Sequence, residues 1–366
     1  MFIETLLPLG KVDPGLRAPE KPLDLHTIAQ YAALIESLGY DGLVTEETRD
    51  DPFVILSLAA QATTTLKLGT SVAIAFARSP TSMAMSAWSL QKLSRGRFTL
   101  GLGPQVRAHI TRRYGMTAHP PAAWMREYVL AVRALWASWQ NGTRPDIRGE
   151  YYNIDLSVPL FDPGRVEHPD IPIHLAAVNP LMCGVAGEVA EGLRPHPVCT
   201  PGYIREVMVP KVREGAKKAG RGLDHFEICM KPLVATARSE EALIPRIRDA
   251  RARIAFYAST PAYARAFNHE GLEGLAAEAK LLSRAQRWDD LPELIDGSIL
   301  NRFVVIGTHA DIGQRLLDRF GDTVTQLEFS IAVETAADRQ TLRDLATQLR
   351  SYDTAKARQT LQDAGQ

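Results

Sequence analysis

Four stretches of this 366-residue chain concentrate side chains that do chemistry. Glu46-Glu47-Thr48-Arg49-Asp50-Asp51 puts a base among acids at the end of a short apolar run. A carboxylate there would contact a ligand's hydroxyls or a ring N–H; the plainer reading is a solvated loop in which Asp50 or Asp51 caps a helix. Arg107-Ala108-His109-Ile110-Thr111-Arg112-Arg113 is a basic segment. It reads either as a pocket for an anionic ligand, with His109 titrating near neutrality as a proton donor, or as a surface helix with its charges outward. Leu68-Gly69-Thr70-Ser71-Val72-Ala73-Ile74-Ala75 runs on to Arg78-Ser79-Pro80. Small residues at a strand's end let the backbone approach a flat ring, or simply suit a crowded core. Finally, Ala176-Ala177-Val178-Asn179-Pro180 leads from a strand to a helix start, where free N–H groups and the helix dipole favour an anion unless Asn179 caps them.

These stretches sit at junctions of a repeating pattern. Strand-like runs are expected at residues 2–7, 43–45, 66–75, 97–102, 171–176, 192–196, 226–235 and 325–331. Helical periodicity separates them, as at residues 26–38, 52–62, 122–139, 202–219, 240–257 and 308–320. Repeated strand–helix units imply parallel strands with helical crossovers, and about eight of them favour a closed (β/α)8 TIM barrel over an open sheet. In such a barrel the loops after the strands build the active site, and all four stretches fall in those loops. We expect one α/β domain over residues 1–352, loop insertions at about 141–170 and 258–300, and a C-terminal tail at 353–366. The first insertion reads as a short hairpin around Arg148-Gly149-Glu150-Tyr151-Tyr152; the second is helical, with Ala276, Ala279 and Leu282 on one face.

Lys plus Arg and Asp plus Glu both total 42, a balance that gives no support to a general nucleic-acid or membrane-surface binder. The cysteines are three, Cys183, Cys199 and Cys229, with no Cys-x-x-Cys, so no disulfide framework or zinc ribbon is expected. Met1-Phe2-Ile3-Glu4 has no basic n-region, and no apolar run is long enough to span a bilayer; a cytoplasmic location is expected. Gly101-Leu102-Gly103-Pro104-Gln105-Val106 begins like a dinucleotide fingerprint but lacks its third glycine. There is no phosphate-binding Gly-x-x-x-x-Gly-Lys-Ser/Thr loop and no Gly-x-Ser-x-Gly elbow. No two of the nine histidines form His-Glu-x-x-His or His-x-His, and no metal is expected.

In this order, several words of the chain resemble the bacterial-luciferase-like monooxygenase family and, more narrowly, its deazaflavin-dependent oxidoreductases. They are Leu38-Gly39-Tyr40-Asp41-Gly42, Leu68-Gly69-Thr70-Ser71-Val72, Ala77-Arg78-Ser79-Pro80, Leu93-Ser94-Arg95-Gly96-Arg97-Phe98-Thr99-Leu100-Gly101-Leu102-Gly103, Ala186-Gly187-Glu188-Val189-Ala190-Glu191-Gly192 and Val305-Ile306-Gly307-Thr308. The resemblance implies a (β/α)8 barrel that binds coenzyme F-420, or alternatively FMN, at its C-terminal mouth. It places a cis-peptide bulge against the ring at Ser71-Val72, the cofactor phosphate at Ala176, Ala177, Val178 and Asn179, and an acidic group near ring and substrate at Glu47. Gly103 lies in the turn beside the ring. A ring-contacting Asn of some relatives falls on His109, and an acidic substrate residue of others falls on Val106, which disfavours a sugar-phosphate dehydrogenase.

The implied reaction is hydride transfer between the deazaflavin ring and a small organic substrate, with His109 or Glu47 handling the proton and Arg107, with Arg112 and Arg113, meeting the cofactor's acidic tail. With FMN the chain would instead be a monooxygenase that uses reduced flavin and oxygen and needs a flavin reductase partner. The departures at Thr48, Pro104 and Val106 leave a third reading, a non-enzymatic flavin-binding barrel. Members of the family are often homodimers.

Overall fold

The computed structural model of the protein describes residues 1–11 and 22–362. Eight parallel strands close into a barrel. They are β1 (Phe2–Leu6), β2 (Gly42–Thr45), β3 (Lys67–Thr70), β4 (Phe98–Gly103), β5 (Ile173–Ala177), β6 (Gly192–Pro195), β7 (Glu227–Met230) and β8 (Gln326–Glu328). Neighbours in sequence are neighbours in space. The ring closes where β8 pairs with β1, Gln326 opposite Phe2 and Glu328 opposite Glu4. The strands are short and almost wholly buried, as parallel strands covered by crossover helices must be.

The helices start where the sequence supplies caps. Asp51 accepts from the N–H of Phe53 at 2.8 Å, and Pro52 opens the helix Pro52–Ala62. Ser79 accepts from the N–H of Ser82 at 3.1 Å ahead of the helix Pro80–Leu93. The helix expected across 202–219 is interrupted by a π-helical turn at Ile204–Met208, next to Pro210, whose ring nitrogen has no proton to donate. No helix among the described residues is long and apolar enough to cross a membrane.

Two expected strands are each broken. Residues 66–75 give β3 and a two-residue piece, Ala73–Ile74, with a cis Ser71–Val72 peptide between them. Residues 226–235 give β7 and then Leu233–Ala237, separated by Lys231-Pro232. Pro232 has no N–H for a ladder, and beyond it the chain leaves the barrel. Leu233–Ala237 pairs in parallel with Val304–Thr308, a strand not expected from sequence, to make a separate two-stranded sheet. The helix Glu240–Ala258 and the helices of the 258–300 stretch, Ala264–His269, Glu273–Arg284 and Gly297–Phe303, connect the two strands.

Residues 141–170 form the antiparallel hairpin Ile147–Arg148 with Asn153–Ile154. The Glu127 carboxylate holds its turn, accepting from the N–H groups of Glu150, Tyr151 and Tyr152. Within the tail, Ala355–Gln362 is a helix with Ala357 and Leu361 buried; residues 363–366 lie outside the described residues.

Candidate active site at the barrel mouth

The carboxyl ends of the strands surround a cavity of about 1150 Å³. Ser71 and Val72 form part of one wall. The N–H of Ser71 donates to the carbonyl of Thr45 at 2.8 Å, which ties the start of the bulge to β2. Glycines on β4 make room for it. A Cβ on Gly101 would lie 1.9 Å from the Thr70 carbonyl oxygen, and one on Gly103 would lie 2.5 Å from a Val72 methyl. The Thr70 hydroxyl ties the two strands there, donating to the Gly101 carbonyl at 2.6 Å and accepting from its N–H at 2.9 Å.

On the other side of β4, Ala176, Ala177, Val178 and Asn179 lead into the helix Pro180–Val189. Asn179 does not cap it. Its amide donates to the Ala262 carbonyl at 3.2 Å and leaves the helix start without a side-chain cap. The turn is held instead by Tyr203, whose hydroxyl donates to the Val178 carbonyl at 2.9 Å. The third wall is aromatic: Phe256, Tyr257, Tyr263 and His196, with the His196 ring stacked on Tyr263 at 4.0 Å.

Of the residues singled out from sequence, Glu47, Ser71, Val72, Gly103, Arg107, Ala176, Ala177, Val178 and Asn179 all line this cavity. His109 does not. The short helix Arg107–Arg112 buries Ile110 and turns His109 out to solvent. The basic segment also divides: Arg107 reaches the cavity edge, while Arg113 donates to the Thr48 carbonyl at 3.0 Å. Glu47 lines the cavity but is committed to structure. It accepts from the Ile74 N–H at 2.7 Å and pairs with Arg78 at 2.6 Å, so it fastens the far side of the bulge. Both of its oxygens are thus engaged by the protein itself.

The charged groups beneath the cavity escaped the sequence reading. Arg194 on β6 forms a two-pronged ion pair with Glu4 on β1, at 2.6 and 3.1 Å. The same guanidinium donates to the Ser71 hydroxyl at 3.2 Å, and Ser71 donates to Glu328 at 3.3 Å. Glu328 also lies 3.8 Å from the ammonium of Lys231, which pairs with Glu46 at 2.6 Å. Burial raises the Glu328 carboxyl to about 7, with Glu4 and Glu46 adding to the rise and Lys231 and Arg194 opposing it. Beside it, burial holds the Cys229 thiol protonated and His174 neutral. The signal was present in the sequence. Glu4, Arg194 and Glu328 are single charges inside short apolar strands, and in a barrel whose outer face meets helices such a charge points inward. Among the described residues no group of three or more His, Cys, Asp or Glu is placed to hold a metal ion.

The profile of the luciferase-like monooxygenase domain matches residues 6–326. An uncharacterised protein of Mycobacterium tuberculosis is 39% identical over 81% of this chain and 88% of its own length. A second protein of that organism, provisionally named a coenzyme F-420-dependent oxidoreductase, is 29% identical over 87% of this chain and 93% of its own. Among solved structures, the coenzyme F-420-dependent tetrahydromethanopterin reductase of Methanopyrus kandleri superposes with a TM-score of 0.71 at 20% identity, covering 96% of this chain and 99% of that one.

Proposed function

The chain belongs to the luciferase-like monooxygenase family, and on that premise we propose that it is a coenzyme F-420-dependent oxidoreductase acting on a small organic substrate. One observation carries the reading: the bulge Ser71-Val72, packed on Gly103 in the wall of the cavity, is hydrogen-bonded through the Ser71 hydroxyl to a buried carboxyl, Glu328, that exchanges its proton near neutral pH. A relative covering 93% of its own length against this chain bears the same cofactor in its name, which supports the choice.

The residues present fit the cofactor. The cavity has the volume for a tricyclic ring and a substrate together. Gly103, lacking a side chain, lets Val72 lie flat in the cavity wall, and the uncapped start of the helix Pro180–Val189 offers N–H groups to a phosphate beside Ala176, Ala177, Val178 and Asn179. When bound, the deazaflavin supplies hydride chemistry at its ring.

The protein's own part is positioning and proton handling. Ser71 and Val72, in the cavity wall, would hold the cofactor ring. Glu47 and Arg78 hold that wall rigid from behind. Glu328 holds the proton on the carboxyl that faces the cavity, and Ser71 links it to Arg194 and Glu4, which keep a fixed charge nearby. The aromatic third wall excludes water. Arg107 at the cavity edge is placed to meet the acidic tail of the cofactor.

Parallel fluorescence titrations with oxidised F-420 and with FMN test this. Tight F-420 binding with weak FMN binding is expected, and a preference for FMN, or binding of neither, overturns the proposal.

A further inference from the structure

A second cavity of about 420 Å³ borders the main one, and Lys11, Lys231, Arg253 and Glu328 line both. Three of the four are accounted for. Lys11 and Lys231 both pair with Glu46, at 3.0 and 2.6 Å, and Glu328 accepts from Ser71. Arg253 stands apart. It is 6% exposed, yet it makes no ion pair among the described residues, and its Nε, fully removed from solvent, has no acceptor. Arginine cannot shed its proton, so a buried guanidinium without an anion is costly to keep. An apolar residue at a buried position of the helix Glu240–Ala258 would not carry that cost.

We infer that Arg253 is a specificity residue that receives an oxyanion of the substrate, a carboxylate or a phosphate, at the junction of the two cavities. The inference rests on the reading of the main cavity as the reaction site and narrows its substrate to an anionic molecule. The planar fork of a guanidinium suits such a group and fixes its orientation as well as its charge. The neighbouring Phe256 and Tyr257, from the next turn of the same helix, offer an apolar face for the body of that molecule. Arg253 and Glu328 line both cavities, whereas residues 176–179 line only the main one.

Calorimetric titration of the whole protein with 4-phenylbutyrate, phenyl phosphate and the neutral 4-phenylbutanamide tests the assignment. For the unaltered protein at least one of the two anions is expected to bind about tenfold or more tighter than the amide, and which of them does so distinguishes carboxylate from phosphate. Arg253→Met should abolish the preference and Arg253→Lys should retain part of it, both with native circular dichroism. Equal affinity for the anions and the amide overturns the inference, as does a preference that survives in Arg253→Met. F-420 titration of the same samples separates the two readings. Arg253→Met should keep F-420 affinity within about threefold; a large loss would assign Arg253 to the cofactor tail and overturn the substrate assignment. If the unaltered protein fails to bind F-420 yet prefers the anions, the proposed function fails while the anion site stands.

Discussion

Glu328 is where proton chemistry and stability meet. Replacing it with Gln keeps shape and hydrogen bonding but removes the exchangeable proton. The Glu328→Gln enzyme is expected to lose about 100-fold or more in kcat, to lose the pH-rate limb near neutrality, and to keep its F-420 affinity. An unchanged pH–rate profile would remove Glu328 from the mechanism. The same raised carboxyl predicts a stability effect of definite sign. The folded protein binds this proton more tightly than the unfolded chain does, so the group costs nothing below the unfolded value of 4.5. Its cost grows as pH rises to about 7, and in full it amounts to at most about 3 kcal/mol. The Tm of Glu328→Gln minus that of the unaltered protein should therefore become more positive between about pH 5 and pH 8. His109, exposed outside the cavity, should by contrast tolerate alanine with less than about a threefold change in kcat/KM, measured with whichever substrate the enzyme turns over.

At the scale of the elements, β3 and β4 pair and together carry the bulge in the cavity wall. Gly101→Ala would drive a methyl into the Thr70 carbonyl, and a loss of about 3 kcal/mol or more is expected in a urea melt. Gly103→Val would push on the Val72 methyl and shift the bulge; F-420 affinity should fall by more than about tenfold together with a loss in Tm. Unchanged F-420 affinity despite the lowered Tm would mean that the bulge is only packing. The sequence displayed much of this layer. Periodicity placed the eight barrel strands, and Asp51, Ser79 and their prolines marked helix starts through local chemistry. The resemblance placed the bulge at Ser71-Val72, where the structure has it. It did not show what Asn179 does, because its bond to Ala262 spans 83 residues of sequence. Nor did it show the inward charges Glu4, Arg194 and Glu328: a lone charge in a three- to five-residue strand acquires its meaning only once the barrel closes and sets strand ends side by side. His109 misled because a histidine among arginines looks the same from either face of a short helix; burial of Ile110 decides the face.

Taken as a whole, the molecule keeps its sulfur chemistry silent. Cys183, Cys199 and Cys229 are all buried thiols, and burial pushes Cys183 up to about 12. The native protein should react with a thiol reagent such as dithionitrobenzoate far more slowly than the urea-unfolded chain, which should release three equivalents. Fast native labelling would show that the mouth opens to Cys229, the one thiol lining the cavity. The break at Pro232 bears on descent as well as on architecture. Everything proposed for the ring, its phosphate and the proton lies on the barrel strands and the turns that follow them, whereas Arg253, Phe256, Tyr257 and Tyr263 belong to the segment strung between the two strands of the side sheet, Leu233–Ala237 and Val304–Thr308. Because that segment leaves the barrel and returns to it at fixed points, it is a replaceable cassette. A chimera that exchanges residues 233–308 with those of a relative should inherit the donor's substrate and the recipient's cofactor, and lineages of this barrel had the means to change diet without relearning their redox chemistry.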